Sequence, residues 1–378
     1  MTSRVSPADV SRRRPAWLLP TPTRRDESGA ESPVRALLIR LMRGQDLSRE
    51  EAAALFGAAM DEHATDAQIG AALVALAVKG ETVEELSGMA EAMRARAVRI
   101  RCRHARFIDT AGTGSSYAKT FNVSTAAAFV CAGAGLPVAK HGSRAATSLS
   151  GSADVLTELG VNVQVDAAVS EACLNETGIC FLFAPLYHRA TARVADIRRQ
   201  LGVHTTFNLL GPLTNPAGAP RQIIGVWHET LLEPLAHTLL ALGTEHAWVV
   251  HGTDGLDEVT TSGPTAVAES KDGRVRKFTI QPQDFGLPSC NTLEKLRGGN
   301  ARENAQLIRE VFRGGTGERL EAARDLIIAN AAAAIFVGGL ESDLRIAAER
   351  ASESIRSGAA LGKLETLCQQ TSAVVAMP

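Results

Sequence analysis

Twice in succession between residues 107 and 154, an apolar strand-like run ends in a loop of glycine and hydroxyl residues and passes into a helix-like run. The first copy runs from Phe107-Ile108 through Gly112-Thr113-Gly114-Ser115-Ser116, then Thr120-Phe121-Asn122-Val123-Ser124-Thr125, into the alanine-rich stretch 126–132. The second begins with the strand-like 136–139 and turns at Lys140-His141-Gly142-Ser143-Arg144. It then passes Thr147, Ser148, Ser150 and Ser152 before a helix that begins at Asp154 and ends at Gly160. Glycines admit positive φ and let backbone N–H groups approach an anion with no side chain in the way. Ser124 or Thr125 falls at the N-terminus of the first helix, where orphan N–H groups and the positive dipole end favour a phosphate. A lysine and an arginine at a strand end suit a polyanion in the crevice of an α/β sheet. One such turn is equally an ordinary capped strand-to-helix turn; two in tandem point to a phosphorylated ligand.

The remaining pattern extends this frame. From Phe107 onward short apolar runs alternate with alanine-rich helical ones, with strands expected at 107–110, 136–139, 180–183, 223–227 and 246–250. That alternation predicts an α/β fold with a mainly parallel sheet. Lys271-Asp272-Gly273-Arg274 reads as a hairpin turn between strands at 265–269 and 274–280. Upstream, Ser48-x-x-Glu51, Thr65-x-x-Gln68 and Thr82-x-x-Glu85 have capping-box spacing ahead of apolar runs, which predicts a small helical lobe. The expected organisation is a disordered tail over 1–33, a helical lobe over 34–101 joined by about 190–210, and an α/β lobe over 102–378. The tail reading rests on Arg12-Arg13-Arg14, several prolines and few apolar residues.

Composition removes several function classes. A net charge of −1 and 4% aromatic residues argue against nucleic acid as the main ligand. There is no long uninterrupted apolar run, so no membrane span is expected. The six cysteines are scattered without a CxxC pair, which suits reduced thiols in the cytoplasm.

The order of motifs GTG, TFNVST, KHG-x-R and SGSADVL resembles the anthranilate phosphoribosyltransferase family. So do FLFAPLYH (181–188), IRRQLG (197–202), TTFNLLGPLTNPA (205–217), LDEV (256–259), NAAAAIFVGG (330–339) and SGAALGKLETL (357–367). The resemblance spans about residue 34 to the C-terminus. It implies transfer of the phosphoribosyl group of 5-phosphoribosyl 1-pyrophosphate to the amine of anthranilate, releasing pyrophosphate, in tryptophan synthesis. It implies that Gly112, Gly114, Ser115, Ser116, Thr120, Asn122, Ser124, Thr125, Lys140, Ser148 and Ser152 hold the phosphoribosyl donor. Anthranilate falls to Gly112, His141, Ser143, Arg198 and Pro212, with His188 and Tyr187 flanking the same tunnel. Mg²⁺ falls to Asp257, Glu258 and the Ser124 hydroxyl. The family also implies a homodimer through the helical lobe. No general base is assigned, because an aromatic amine is neutral at pH 7 and already carries a lone pair.

Three positions depart from the family pattern. Ser116 stands where an aspartate is common, Ser143 where an asparagine helps orient anthranilate, and Leu149 where a lysine is frequent. A different aromatic amine is therefore one alternative acceptor. A pyrimidine nucleoside phosphorylase shares the expected fold, but its KHSTGGVGD-like segment is absent from this chain. A non-enzymatic, nucleic-acid-binding relative is expected to lose the metal carboxylates, and Asp257 and Glu258 are present.

Overall fold

The computed structural model describes residues 33–60, 64–114, 118, 120–145, 149–289 and 293–373. Apart from its last residue, the expected tail lies outside them. The chain opens with four helices, α1 (Pro33–Met42), α2 (Arg49–Met60), α3 (Asp66–Lys79) and α4 (Val83–Arg96). All three expected capping boxes form. Ser48 and Glu51 exchange backbone-to-side-chain bonds of 2.8 and 3.2 Å, Thr65 with Gln68 bonds of 2.9 and 3.2 Å, and Thr82 with Glu85 bonds of 2.8 and 3.2 Å.

An α/β unit follows: β1 (Ile108–Gly112), α5 (Val123–Gly133), β2 (Val138–Gly142), α6 (Ser152–Glu158), α7 (Ala167–Thr177), β3 (Ile179–Phe183) and α8 (Ala184–Tyr187). Helices α9 (Ala192–Leu201) and α10 (Thr206–Leu213) return to the helical layer. Then come β4 (Arg221–Gly225), α11 (Leu232–Ala241), β5 (His246–Gly252), β6 (Thr265–Lys271) and β7 (Arg274–Ile280). The chain closes with α12 (Ala301–Phe312), α13 (Glu318–Val337), α14 (Leu344–Arg356) and α15 (Ala359–Ala373). The seven strands lie in the order β3-β2-β1-β4-β5-β6-β7. β3 to β5 are parallel, and β6 and β7 add an antiparallel edge. The strand order reverses between β1 and β4, the switch point beside which α/β sheets bind ligands.

Alternation along the strands gives the sheet two apolar faces. Ile224, Ala247 and Val249 join a core with Leu55, Leu73 and Leu86 of the first helices and Val194, Ile197, Phe207 and Leu210 of α9 and α10. Ile223, Trp248 and Val250 face the opposite core, which includes Leu326 and Ile327 of α13. The helical layer is thus continuous with one face of the sheet.

Strand ends correct the expectations. β1 runs to Gly112, so the turn begins at Thr113-Gly114. Lys140, His141 and Gly142, read as a turn, are strand residues of β2 paired with Phe181, Leu182 and Phe183. β4 covers 221–225, not 223–227, and β5 continues to Gly252. α5 begins at Val123, so Ser124 lies inside its first turn. The apolar runs stop before the hydrogen-bond ladders do, because polar residues at the strand tips find partners in the cleft.

Candidate active site

A cleft of about 460 Å³ opens at the C-terminal ends of β1, β2 and β4, roofed by α9 and α10. Of the expected site residues, Gly112, Gly114, Thr120, Asn122, Ser124, Thr125, Lys140, His141, Ser143, Ser152, Arg198, Pro212, Asp257 and Glu258 all line it. Ser115, Ser116 and Ser148 lie outside the described residues.

Its floor is built by close backbone approach. Thr113 N–H and Oγ1 both donate to the Gly225 carbonyl, at 2.9 and 3.0 Å. A Cβ on Gly225 would stand 1.6 Å from the Asp257 carbonyl oxygen, so only glycine lets the 256–259 loop cross the end of β4. The loop is pinned on both sides, with Leu256 and Val259 fully buried. Asn330 of α13 accepts from Val259 N–H at 2.9 Å and donates to its carbonyl at 2.8 Å. This clamp gives the asparagine of NAAAAIFVGG its purpose. Asp257 and Glu258 are thereby held toward Gly112 and the first turn of α5. Asp257 Oδ2 is 3.8 Å from the position a Gly112 Cβ would take, and Ser124 N–H donates to Glu258 Oε1 at 3.3 Å.

The electrostatics of this corner favour a cation. Burial first, and the Asp257 carboxylate next, push the Glu258 carboxyl up to about 8. Lys140, buried alongside, relieves that crowding only partly; burial also pulls its own ammonium down. Lys140 Nζ donates to the Thr110 carbonyl and lies 3.4 Å from Ser124 Oγ. The donor set offered by Asp257, Glu258 and Ser124 is all oxygen, the kind a hard divalent ion takes. Among the described residues no cluster of three or more His, Cys, Asp and Glu could hold a metal by itself. Two carboxylates and a hydroxyl fit an ion such as Mg²⁺, which usually takes one or two carboxylates and completes its shell with water and substrate phosphate.

The second wall is tied together by side chains. Asn122 donates to the Ser150 carbonyl at 3.2 Å, and its own amide oxygen accepts from Asn304 of α12 at 3.1 Å. Asp154 holds both ends of the glycine-hydroxyl loop, accepting from Ala145 and Gly151 N–H at 2.9 and 3.0 Å. Arg144 turns away to pair with Asp154 at 2.8 Å. Ser143 is exposed at the rim, and its carbonyl accepts from Ser152 Oγ at 3.3 Å. Leu149 is 73% exposed.

At the other end of the cleft the surroundings change. Asp109, buried in β1, accepts from His141 N–H at 3.1 Å and from Asn215 at 2.7 Å; burial pushes its carboxyl up to about 6. The His141 ring sits 3.1 Å through Nδ1 from the Gly211 carbonyl. A carbonyl can only accept, so Nδ1 carries the proton and Nε2 is a bare acceptor, buried and without a partner among the described residues. Burial, with His188 next to it, lowers the imidazole to about 3, so it is neutral at pH 7. The His188 ring lies 5.1 Å away and burial lowers it to about 4. Tyr187, expected beside it, instead packs into the core under β3.

Arg198 completes this end. Its guanidinium lies 5.3 Å over the Phe207 ring and donates to Asn208 Oδ1 at 3.3 Å, while its Nε is buried without a partner among the described residues. No carboxylate pairs with it among the described residues. The other arginines of α9 do have one: Arg193 with Asp66 and Arg199 with Asp196, at 2.6 and 2.8 Å. Phe207, Asn208, Asn215, Gly225, Asn304 and Asn330 were not singled out from sequence. Four of them lie in the motif strings quoted above, yet Phe207, Asn215 and Asn330 act through partners remote in the chain, Phe56, Asp109 and Val259.

Comparisons with known proteins agree with this geometry. A model described as "Glycosyl transferase family, helical bundle domain" matches residues 35–97, and one described as "Glycosyl transferase family, a/b domain" matches 104–361. The anthranilate phosphoribosyltransferase of Anaeromyxobacter dehalogenans (strain 2CP-C) is 51% identical over 338 residues, 89% of this chain and 98% of that one. That of Clostridium kluyveri is 48% identical over 327 residues, 86% and 96%. The crystal structure of the Thermus thermophilus enzyme superposes with a TM-score of 0.82 at 36% identity, over 90% of this chain and all of that one. The Saccharomyces cerevisiae enzyme in complex with PRPP and Mg gives 0.82 at 27% identity, over 91% and 99%.

Proposed function

The chain belongs to the anthranilate phosphoribosyltransferase family, pentosyltransferases of tryptophan biosynthesis, and on that premise we propose how its own residues carry the transfer. The donor, 5-phosphoribosyl 1-pyrophosphate, lies along Gly112, Gly114, Thr120, Asn122, Ser124, Thr125, Lys140 and Ser152. Asp257, Glu258 and Ser124 Oγ would hold Mg²⁺, which would supply charge neutralisation for the pyrophosphate leaving group. Gly114, with φ +66 and no Cβ, leaves the turn's backbone unobstructed for the same charge.

Anthranilate enters at the opposite end, with Gly112, Ser143 and Pro212 beside it. The observation that carries this assignment is Arg198, a largely desolvated guanidinium with no anionic partner among the described residues, in the same cleft as the carboxylate floor. A planar guanidinium gives a carboxylate two parallel hydrogen bonds. His141 Nε2, fixed as an acceptor, receives an N–H of the amine and leaves the nitrogen lone pair free to attack the ribosyl carbon. Positioning and charge stabilisation supply the rate, with no protein nucleophile.

We propose further that the protein works in the cytoplasm as a homodimer through the helical lobe (34–101 with about 190–210). Val74 and Val78 of α3 and Met42 at the end of α1 support this, 40, 83 and 52% exposed. The five described cysteines are free thiols, which suits a reducing compartment.

Arg198→Ala tests the acceptor assignment. Loss of a charged hydrogen-bonded pair of about 2–3 kcal/mol raises the KM for anthranilate by roughly 30- to 150-fold. The KM for the phosphoribosyl donor stays within about threefold, because Arg198 stands apart from the phosphate walls. Equal changes in both constants would make Arg198 a structural residue.

A further inference from the structure

Asn208 stands where a carboxylate would be the better local choice. It is the third residue of α10, and its Oδ1 reaches back to accept from Thr205 N–H at 3.1 Å. That is half of a capping box, a position usually filled by Glu or Gln, and the positive end of the helix dipole rewards an acid there. Other boxes of this chain follow the rule, with Glu51, Gln68, Glu85 and Glu303 at the equivalent position. The same Oδ1 also accepts from Arg198 Nη2 at 3.3 Å, so an acid would gain an ion pair as well. Local stability thus argues twice for a carboxylate, and the residue is a neutral amide.

We propose that Asn208 is a positioning residue that fixes the Arg198 guanidinium without neutralising it, so that its charge stays available to the carboxylate of the acceptor. The inference rests on the reading that Arg198 meets that carboxylate. Phe207 supports the same arrangement, since its ring face attracts the guanidinium while leaving its in-plane N–H groups free. An aspartate at 208 would take the in-plane edge that the substrate needs, and the acceptor would have to displace a resident anion.

The ordering of two variants separates this from a structural role. If Asn208 served only to cap α10 and brace α9, Asn208→Asp would keep both hydrogen bonds and Asn208→Ala would be the more damaging change. The proposal predicts the reverse for the acceptor. Asn208→Asp melts at or above the wild-type temperature, yet raises the anthranilate KM by about 30-fold or more, the cost of competing with a charge-assisted pair. The donor KM is unchanged. Asn208→Ala melts lower and raises the anthranilate KM less than Asn208→Asp does. An Asp variant with wild-type anthranilate KM, or one less impaired than the Ala variant, would overturn the proposal. Arg198→Ala, measured alongside, keeps the two readings distinct. If it raises the anthranilate KM while Asn208→Asp does not, the inference about Asn208 fails alone. If Arg198→Ala leaves that KM unchanged, the acceptor assignment fails and takes this inference with it.

Discussion

Combining Asp257→Ala with Glu258→Ala is expected to lower kcat/KM by about a thousandfold or more, roughly 4 kcal/mol of transition-state stabilisation. The loss should not be recovered by excess Mg²⁺, because both carboxylates offered to the ion are gone. The pair carries its charge against its own interest, since desolvation and the neighbouring Asp257 carboxylate push the Glu258 carboxyl up to about 8. Removing it therefore costs the fold little, and the effect falls on catalysis. Gly225→Ala is the companion change. It touches neither carboxylate, but its Cβ needs the space 1.6 Å from the Asp257 carbonyl oxygen. The loop cannot yield in place, held as it is by Leu256, Val259 and the Asn330 clamp. Gly225→Ala should thus shift the Mg²⁺ requirement upward and reduce turnover. A folded Gly225→Ala protein with a wild-type Mg²⁺ titration would show that loop position does not set metal use.

Glu269→Ala should have the largest effect on stability, about 3 kcal/mol at neutral pH, the usual cost of leaving buried donors such as the Trp248 indole without their charged acceptor. Glu269 lies in β6 directly opposite Trp248 on one side and Arg276 on the other. Its carboxylate accepts from Trp248 Nε1 at 2.9 Å, contacts His246 Nε2 at 2.8 Å and pairs with Arg276. Burial opposes the charge, but His246, Arg276 and Trp248 together outweigh it and hold the carboxyl down at about 2. A group whose folded value lies below its unfolded value of about 4.3 stabilises above the unfolded value and loses that contribution as pH falls toward the folded one. Urea unfolding of both proteins should therefore give a wide gap at pH 7 that narrows steadily between about pH 4.5 and 3. A gap of constant size across that range would mean that the carboxylate charge is not what the network uses.

What could be read from sequence was what local chemistry decides. The 271–274 hairpin forms as expected, with Asp272 at φ 50 and Gly273 at φ 75 supplying the two positive-φ residues that such a turn needs. The capping boxes are likewise short-range devices and lie where their spacing puts them. Strand ends were misread where polar side chains continue a ladder. Lys140 and His141 stay in β2 because Thr110 and Gly211, from other elements, satisfy their polar atoms. Glu269 gives no sequence signal beyond one acid in an apolar strand, since its three partners come from neighbouring strands. Asn208 was legible only as a letter in a motif; its meaning depends on α9 packing over α10. The resemblance implies Tyr187 in the cleft with His188, but at the end of α8 successive side chains point in different directions, and only His188 lines it.

Loss of anthranilate fluorescence tests the central claim most directly, followed with the purified full chain in the presence of 5-phosphoribosyl 1-pyrophosphate. The account predicts loss that requires both the donor and Mg²⁺, with stoichiometric pyrophosphate release. A folded protein that binds the donor but consumes no anthranilate with Mg²⁺ present would contradict it and give the Arg198 pocket to another acceptor.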